Sequence, residues 1–258
     1  MSAVTLKRAA RTALDTVYDP ELDEPITDLG FVRSLDVTDD GTVEVHLRLP
    51  TSFCSPNFAY LMASDAKDAI TALPESSRVI VELDDHHDSD IINRGLAVDA
   101  GYRGTFGDEA ESDLDDLRLT FRRKAHTAAM ERALTLLLRS NPDLVEDNLG
   151  QVVLGDLPLT AETTALVRRR TDLGLDTVPT APVLVDDQGR PCPREEIPLR
   201  LRRARSTRIS IDGNSHFCRG LLRTRYPDSA AEQSPHRHGD EAVSEPLFTL
   251  PLNKETLA

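Results

Sequence analysis

From Thr42 to Leu49 apolar and polar residues alternate. Val43, Val45, Leu47 and Leu49 fall on one side of an extended chain, and Thr42, Glu44, His46 and Arg48 on the other. That period of two predicts a strand with one buried face. Further on, the period becomes helical: Phe58, Leu61, Met62, Ala66, Ala69, Ile70 and Leu73 share a face, Ser55 suits the N-cap and Pro56 the first turn. Between strand and helix lies a short turn, Pro50-Thr51-Ser52-Phe53-Cys54, with one cysteine. A sulfur just outside a helix N-terminus meets unpaired amide N–H groups and the positive end of the macrodipole, which favour thiolate over thiol.

The rest of the chain reads in the same way. Leu6, Ala10, Ala13, Leu14 and Val17 predict an amphipathic helix over 3–17, stopped at Tyr18-Asp19-Pro20 because the residue before proline resists the helical region. Phe31 to Val37 forms a strand that turns at Asp39-Asp40-Gly41, a hairpin signal. Val79, Val81 and Leu83 mark a third strand, and a helix follows from Ser89 to about Val98. Ser112 to Arg139 reads as a long helix and 161–173 as another. From Val183 onward the pattern reads as β, with a turn at Asp187-Gln188-Gly189, short strands from Arg200 to Ile211 and a turn at Asp212-Gly213-Asn214. Asp228 to Glu245, rich in Ser, Pro, Ala, Glu and His, predicts a flexible segment.

The expected fold is α+β: a small three-stranded sheet with helices packed on it in the order helix-strand-strand-helix-strand-helix, then a long helix and a mostly β C-terminal extension. The corresponding units are 1–105, a linking helix at 106–150, a small α+β domain at 151–227 and a tail at 228–258.

Charge changes this picture in one respect. The net charge of −14 is lodged in the first part, where residues 1–150 carry 15 Lys and Arg against 29 Asp and Glu, while residues 151–258 carry 15 against 15. An acidic surface of that size disfavours nucleic acid and anionic membrane and suits protein partners or metal cations. The arginines from Arg200 to Arg208 read as a basic strand able to meet the acidic part of the same chain or a partner. Three scattered cysteines, Cys54, Cys192 and Cys218, make no disulfide framework and no zinc ribbon, and fit a reducing cytoplasm. The sequence holds no dinucleotide, Walker, nucleophile-elbow or HExxH motif.

Taken together, helix, Asp19-Pro20-Glu21, hairpin, Thr51-x-x-Cys54-x-Pro56, helix and strand closely resemble the SufT/PaaD-like family of metal-sulfur cluster assembly factors, over roughly residues 3–100. The resemblance implies an adaptor or carrier, not a catalyst, that helps deliver iron or iron-sulfur clusters to client enzymes. It further implies that Cys54, with Thr51, Asp19 and Glu21 near it, contacts the cargo. The longer chain, with His86-His87-Asp88 after the third strand, is similar to members associated with di-iron monooxygenases. Two departures stand out: Ser55 intervenes where the family has cysteine followed directly by proline, and the His-Asp run replaces a Pro-Pro-Trp.

One thiolate cannot build a stable cluster, so Cys54 would share its cargo with a second copy in a homodimer, with a small thiol, or with ligands of the client. Asp19 and Glu21 have an alternative role as turn and cap residues. The run His86, His87, Asp88, Ser89, Asp90 is the richest group of metal-ligand types in the chain, yet adjacent histidines of an extended segment point to opposite sides, so one of His86 and His87 at most would join Asp88 or Asp90. Its bland alternative is a solvated loop that caps the next helix through Ser89. His126 reads as a surface residue of the long helix, and His216 and Cys218 as neighbours on one face of a strand, able to bind metal or, more simply, a histidine packed beside a buried cysteine. Three readings follow: an iron or iron-sulfur maturation factor serving a client metalloenzyme, a metal-dependent hydrolase using His86 to Asp90, or a client-specific chaperone in which Cys54 is inert.

Overall fold

The alternation from Thr42 to Arg48 becomes the middle strand of a three-stranded sheet. In the computed structural model, which describes residues 2–107 and 114–235, the first two elements are helix α1 (Ala3–Leu14) and a two-residue ladder of β1 (Tyr18–Asp19) with β2 (Glu24–Pro25). The sheet follows: β3 (Val32–Val37), β4 (Thr42–Arg48) and β5 (Arg78–Asp84), in that order. β3 and β4 are an antiparallel hairpin, and their turn depends on Gly41. Its φ is +84°, and a Cβ there would meet the Glu75 carbonyl oxygen at 2.9 Å.

β5 lies parallel to β4, which requires a crossover, and helix α2 (Pro56–Thr71) supplies it. Val43, Val45 and Leu47 of β4, Ala59, Met62, Ala63, Ala66 and Ile70 of α2, and Leu6, Ala10 and Leu14 of α1 are buried in one core. Helices α3 (Ser89–Ala97) and α4 (Gly101–Phe106) close its edge, where the rings of Tyr60, Tyr102 and Phe106 pack together.

A second core is built mainly by helices, with Val152, Ala181, Val183 and Leu184 of extended chain filling one side. It is built by α5 (Leu114–Ser140), α6 (Ala161–Asp172) and the first part of α7 (Ile197–Arg225), with Met130, Leu134, Leu166, Leu201 and Ala204 among its buried residues. Extended chain around Val183 adds only isolated bridges, Val153 with Pro182 and Val185 with Pro191, the latter closing the turn foreseen at 187–189. The α+β class and the small sheet hold, but the mostly β C-terminal extension does not. Residues 200–211 lie inside α7, and the turn foreseen at Asp212-Gly213-Asn214 is mid-helix. Ile197, Leu201, Ala204, Ile211, Ser215 and Leu222 do recur at helical spacing, but arginines flank the stripe so densely that it loses contrast, while Ile209 and Ile211 imitate a period of two.

The two cores are joined by ion pairs between acidic residues of the first part and later arginines. Arg169 pairs with Asp23 (Nε to Oδ2, 2.8 Å), Arg219 with Glu24, and Arg118 with Asp65 (2.7 Å). The basic stretch 200–208 does not make these links. Arg205 and Arg208 bind Glu131 instead, within the second unit. His126, expected on the surface, is 1% exposed, because α6 covers its side of α5. Arg48, also 1% exposed, donates to the Gly30 carbonyl (3.2 Å), to Asp228 (2.7 Å) and to Glu232 (2.5 Å). Residues 227–231 therefore form a docked helical turn where a flexible segment was foreseen. Residues 232–235 continue from it, with the Ser234 amide on the Asp28 carbonyl (3.0 Å), while 236–245 of that segment and the helix start foreseen at Ser112 and Asp113 lie outside the described residues.

Candidate functional site

Cys54 lies where the sequence puts it, between the end of β4 and the opening of α2. Pro56 fills the first turn, but the Ser55 hydroxyl makes no capping bond, so no side chain of the N-cap takes up the helix amides. The sulfur is half-buried. It packs on the edge of the first core and lies 3.5 Å from the Thr51 hydroxyl, which also accepts from the Phe53 amide (3.2 Å). Thr51 thus fixes the turn that presents the cysteine.

The His86–Asp90 segment lies against this turn and acts on its backbone. His86 is buried, its Nε2 donates to the Cys54 carbonyl (2.8 Å) and its Nδ1 accepts from the Asp88 amide (3.1 Å). Both ring nitrogens are used, as in a neutral imidazole that ties two loops together. The His87 amide donates to the Ser52 carbonyl (2.9 Å), and its exposed ring packs at 5.7 Å from that of Phe53. Ser89 closes the loop by accepting from the His86 amide (2.9 Å), and Asp88 and Asp90 begin α3 with no capping bond from Asp88. The structure brings His86 to the Cys54 carbonyl and not to its sulfur. Among the described residues no group of three or more His, Cys, Asp or Glu is arranged to hold a metal ion by itself.

Asp19 and Glu21 act on their own loop and on α7, with no bond to the Cys54 turn among the described residues. The Asp19 carboxylate accepts the amides of Glu21 (2.8 Å) and Leu22 (2.9 Å), so it builds the turn. Burial still pushes its pKa up to about 7 against the pull of those two bonds. Glu21 accepts from Asn214 of α7 (3.2 Å).

The residues that the sequence hid or misplaced all belong to α7. Arg225 donates to the Leu49 carbonyl (3.1 Å), to the Ser52 hydroxyl (2.7 Å) and to the Asp85 carbonyl, and so clamps both loops beside Cys54. Cys218 packs on the first core. Burial and then the charges of Asp19, Cys54 and Glu21 push its thiol up to about 12. His216 is exposed on another face of the helix, so the pairing of His216 with Cys218 fails: two residues are about 200° apart on an α-helix, not on one side. The signal that would have found Cys218 is its spacing of four and seven from Leu222 and Arg225.

A cavity of about 440 Å³ opens between the Tyr18–Asp23 loop and helices α5 and α6. Three of the four arginines that line it are engaged, Arg169 on Asp23, Arg118 on Asp65, and Arg168 over the Tyr18 ring at 4.3 Å; Arg122 is the fourth. Neither Cys54 nor Cys218 lines it. No described helix is long and apolar enough to cross a membrane.

Comparison with known proteins gives this geometry a context. The family model described as iron-sulfur cluster assembly protein matches residues 7–83, which run from α1 to the end of β5. The iron-sulfur cluster carrier protein of Mycobacterium tuberculosis is 40% identical over 79 residues, 31% of this chain and 20% of that protein. The chain thus spans about a fifth of the length of that relative. An uncharacterized protein of Methanocaldococcus jannaschii is 34% identical over 80 residues and is covered over 82% of its length. The Fe-S protein maturation auxiliary factor YitW of Bacillus subtilis is 34% identical over 70 residues, 27% of this chain and 67% of that one. No solved structure gives a significant match. Through its first unit, with the β4–α2 turn that carries Cys54, the chain belongs to the iron-sulfur cluster assembly protein family.

Proposed function

We propose that this chain is a cytoplasmic maturation factor that holds iron or an iron-sulfur cluster briefly at Cys54 and passes it to a client metalloenzyme, without catalysing a reaction of its own. The client class to which the sequence resemblance points is a di-iron monooxygenase. The observation that carries this reading is the state of the Cys54 turn: a half-buried thiol beside the Thr51 hydroxyl, on a backbone held by His86 and Arg225. A rigid turn with one partly open sulfur suits transfer by ligand exchange, because a single thiolate binds too weakly to retain its cargo. The names of the mycobacterial and Bacillus relatives, a cluster carrier and a maturation factor, support the same role.

A hydrolase built on His86 to Asp90 is less well supported, since both nitrogens of His86 are engaged in holding the loop. The test is to produce the client with and without this protein and measure its iron content and turnover. Iron-poor client in the absence of the protein, or with Cys54→Ser, is expected. Full activity with Cys54→Ser would favour a chaperone in which the sulfur is inert.

A further inference from the structure

The aromatic ring next to Cys54 is left in water. Phe53 is 80% exposed, although the turn that carries it is held on both sides. The carbonyls of its neighbours Ser52 and Cys54 accept from the His87 amide (2.9 Å) and from the His86 ring (2.8 Å), and its own amide donates to the Thr51 hydroxyl (3.2 Å). The exposure therefore belongs to a fixed backbone and is not the looseness of a loop tip. The exposed His87 ring packs beside it, with centroids 5.7 Å apart and planes at 31°, so the two rings make a small aromatic shelf at the sulfur. Carboxylates rim the shelf. Asp85 and Asp88 stand within two residues of His87; the Asp85 carboxylate accepts from the Tyr226 hydroxyl (2.9 Å), Asp88 makes no capping bond, and Asp90 is exposed in the first turn of α3. The guanidinium bonded to this turn, that of Arg225, is spent on the Leu49 and Asp85 carbonyls and the Ser52 hydroxyl. An aromatic face edged by carboxylates suits a guanidinium, which stacks on the ring and donates to the acids in the same pose, better than it suits the compact ammonium of lysine.

We propose that the Phe53–His87 pair, with Asp85, Asp88 and Asp90 around it, docks an arginine-bearing segment of the client protein beside Cys54. The acidic surplus of residues 1–150 draws a basic segment to this side of the molecule, and a ring on a pre-set backbone loses little freedom when it is covered. A second copy of the chain is the poorer occupant, since two bodies of net charge −14 repel each other. The proposal rests on the carrier reading of Cys54 and names the contact that brings the acceptor to the sulfur.

The probe is the iron-free form of the metalloenzyme whose iron content falls in the absence of this protein, titrated against the full-length chain. Phe53→Ala should weaken binding about thirtyfold, as for a central aromatic of an interface, and Phe53→Tyr, which keeps the ring, should restore it. Asp88→Asn with Asp90→Asn should weaken it about fivefold and flatten its dependence on salt. The rate of Cys54 alkylation should be unchanged in Phe53→Ala, so that the loss is one of docking and not of the turn. Phe53→p-benzoylphenylalanine should cross-link, under light, to a client peptide that contains arginine. A cross-link to an acidic or wholly apolar client peptide, or to a second copy of this chain, overturns the proposal. If Phe53→Ala binds and loads the client as the wild type does, the docking site is wrong while the carrier role of Cys54 stands. If Cys54→Ser loads the client fully, the carrier role is wrong, and the binding of Phe53→Ala still decides the docking site.

Discussion

The sheet unit and the helical unit of this protein are stabilised in different ways. In the first, β4 and α2 bury an aliphatic face whose period is plain along the chain, and buried charges such as Asp19, Asp23, Glu24 and Arg48 lie outside that face, in the β1–β2 ladder and at the end of β4. In the second, α5 carries buried Glu131 and Arg132 together with aliphatic residues, and both pair with α7: Arg208 on Glu131 (2.5 Å), Arg132 on Asp212 (2.5 Å). The seam between the units follows the second rule. A core of aliphatic residues accepts many sequences of similar volume, whereas a buried ion pair is worth little over an apolar substitute and fails badly when one partner is lost. The difference therefore shows most clearly under substitution of single residues and under change of pH.

The largest effect is expected at the seam. Arg219→Leu leaves Glu24, 1% exposed, without its guanidinium partner and should destabilise the chain by about 3–5 kcal/mol in urea unfolding. Adding Glu24→Gln should recover much of the loss. A comparable penalty in the double variant would mean that packing of Arg219, not its charge, holds the seam.

Next is acid sensitivity of the helical unit. Burial, followed by the charges of Arg170, Arg169 and Arg200, lowers the pKa of His126 to about 4 from 6.5. Between those values the unfolded chain takes a proton that the folded chain refuses, so stability is fully present above pH 6.5 and is lost as the pH falls to 4, by about 3 kcal/mol at most. His126→Leu should flatten that part of the profile of melting temperature against pH. An unchanged slope would assign the acid loss to other groups.

Asp19 gives the opposite sign in the sheet unit. Its carboxyl is raised from 3.8 to about 7, so the folded chain holds the extra proton, and the contribution is present at low pH and lost as the pH rises through 7. Asp19→Asn keeps an oxygen for the Glu21 and Leu22 amides. It should stabilise the protein by about 2 kcal/mol at pH 8 and by almost nothing at pH 4. Equal gains at both would show that ionisation is not the cause.

The smallest expected effect is at Gly213. It lies within α7 with open space around its missing Cβ, and Gly213→Ala should stabilise by about 0.5–1 kcal/mol, read as a rise in melting temperature.

These contrasts also decide what could be read from the sequence. The hairpin, α2, β5 and the placement of Cys54 were legible because each follows a single strong period, and Asp39-Asp40-Gly41 names its own turn. The partners of Cys54 were legible only in kind. His86 was visible as a ligand type, but its bond to the Cys54 carbonyl depends on how two loops meet. α7 was misread because its buried stripe includes Ala204, Ser215 and Arg219, residues that carry little or no hydrophobic signal. With that helix mistaken for strands, Arg225 could not be placed at the cysteine turn, nor Asn214 at Glu21. His126 was misjudged for a related reason: the arginines around it pointed to water, while the face opposite α6 had no sequence mark.

Arg48 has a practical consequence for anyone who wishes to work with a smaller protein. A truncation that keeps only the 7–83 portion would retain a guanidinium at the end of its central strand and discard Asp228 and Glu232, the carboxylates that neutralise it. Such a fragment would leave Arg48 with the Gly30 carbonyl alone and strip Asp23 and Glu24 of their arginine partners, Arg169 and Arg219, so a usable minimal version calls for redesign of positions 23, 24 and 48 together.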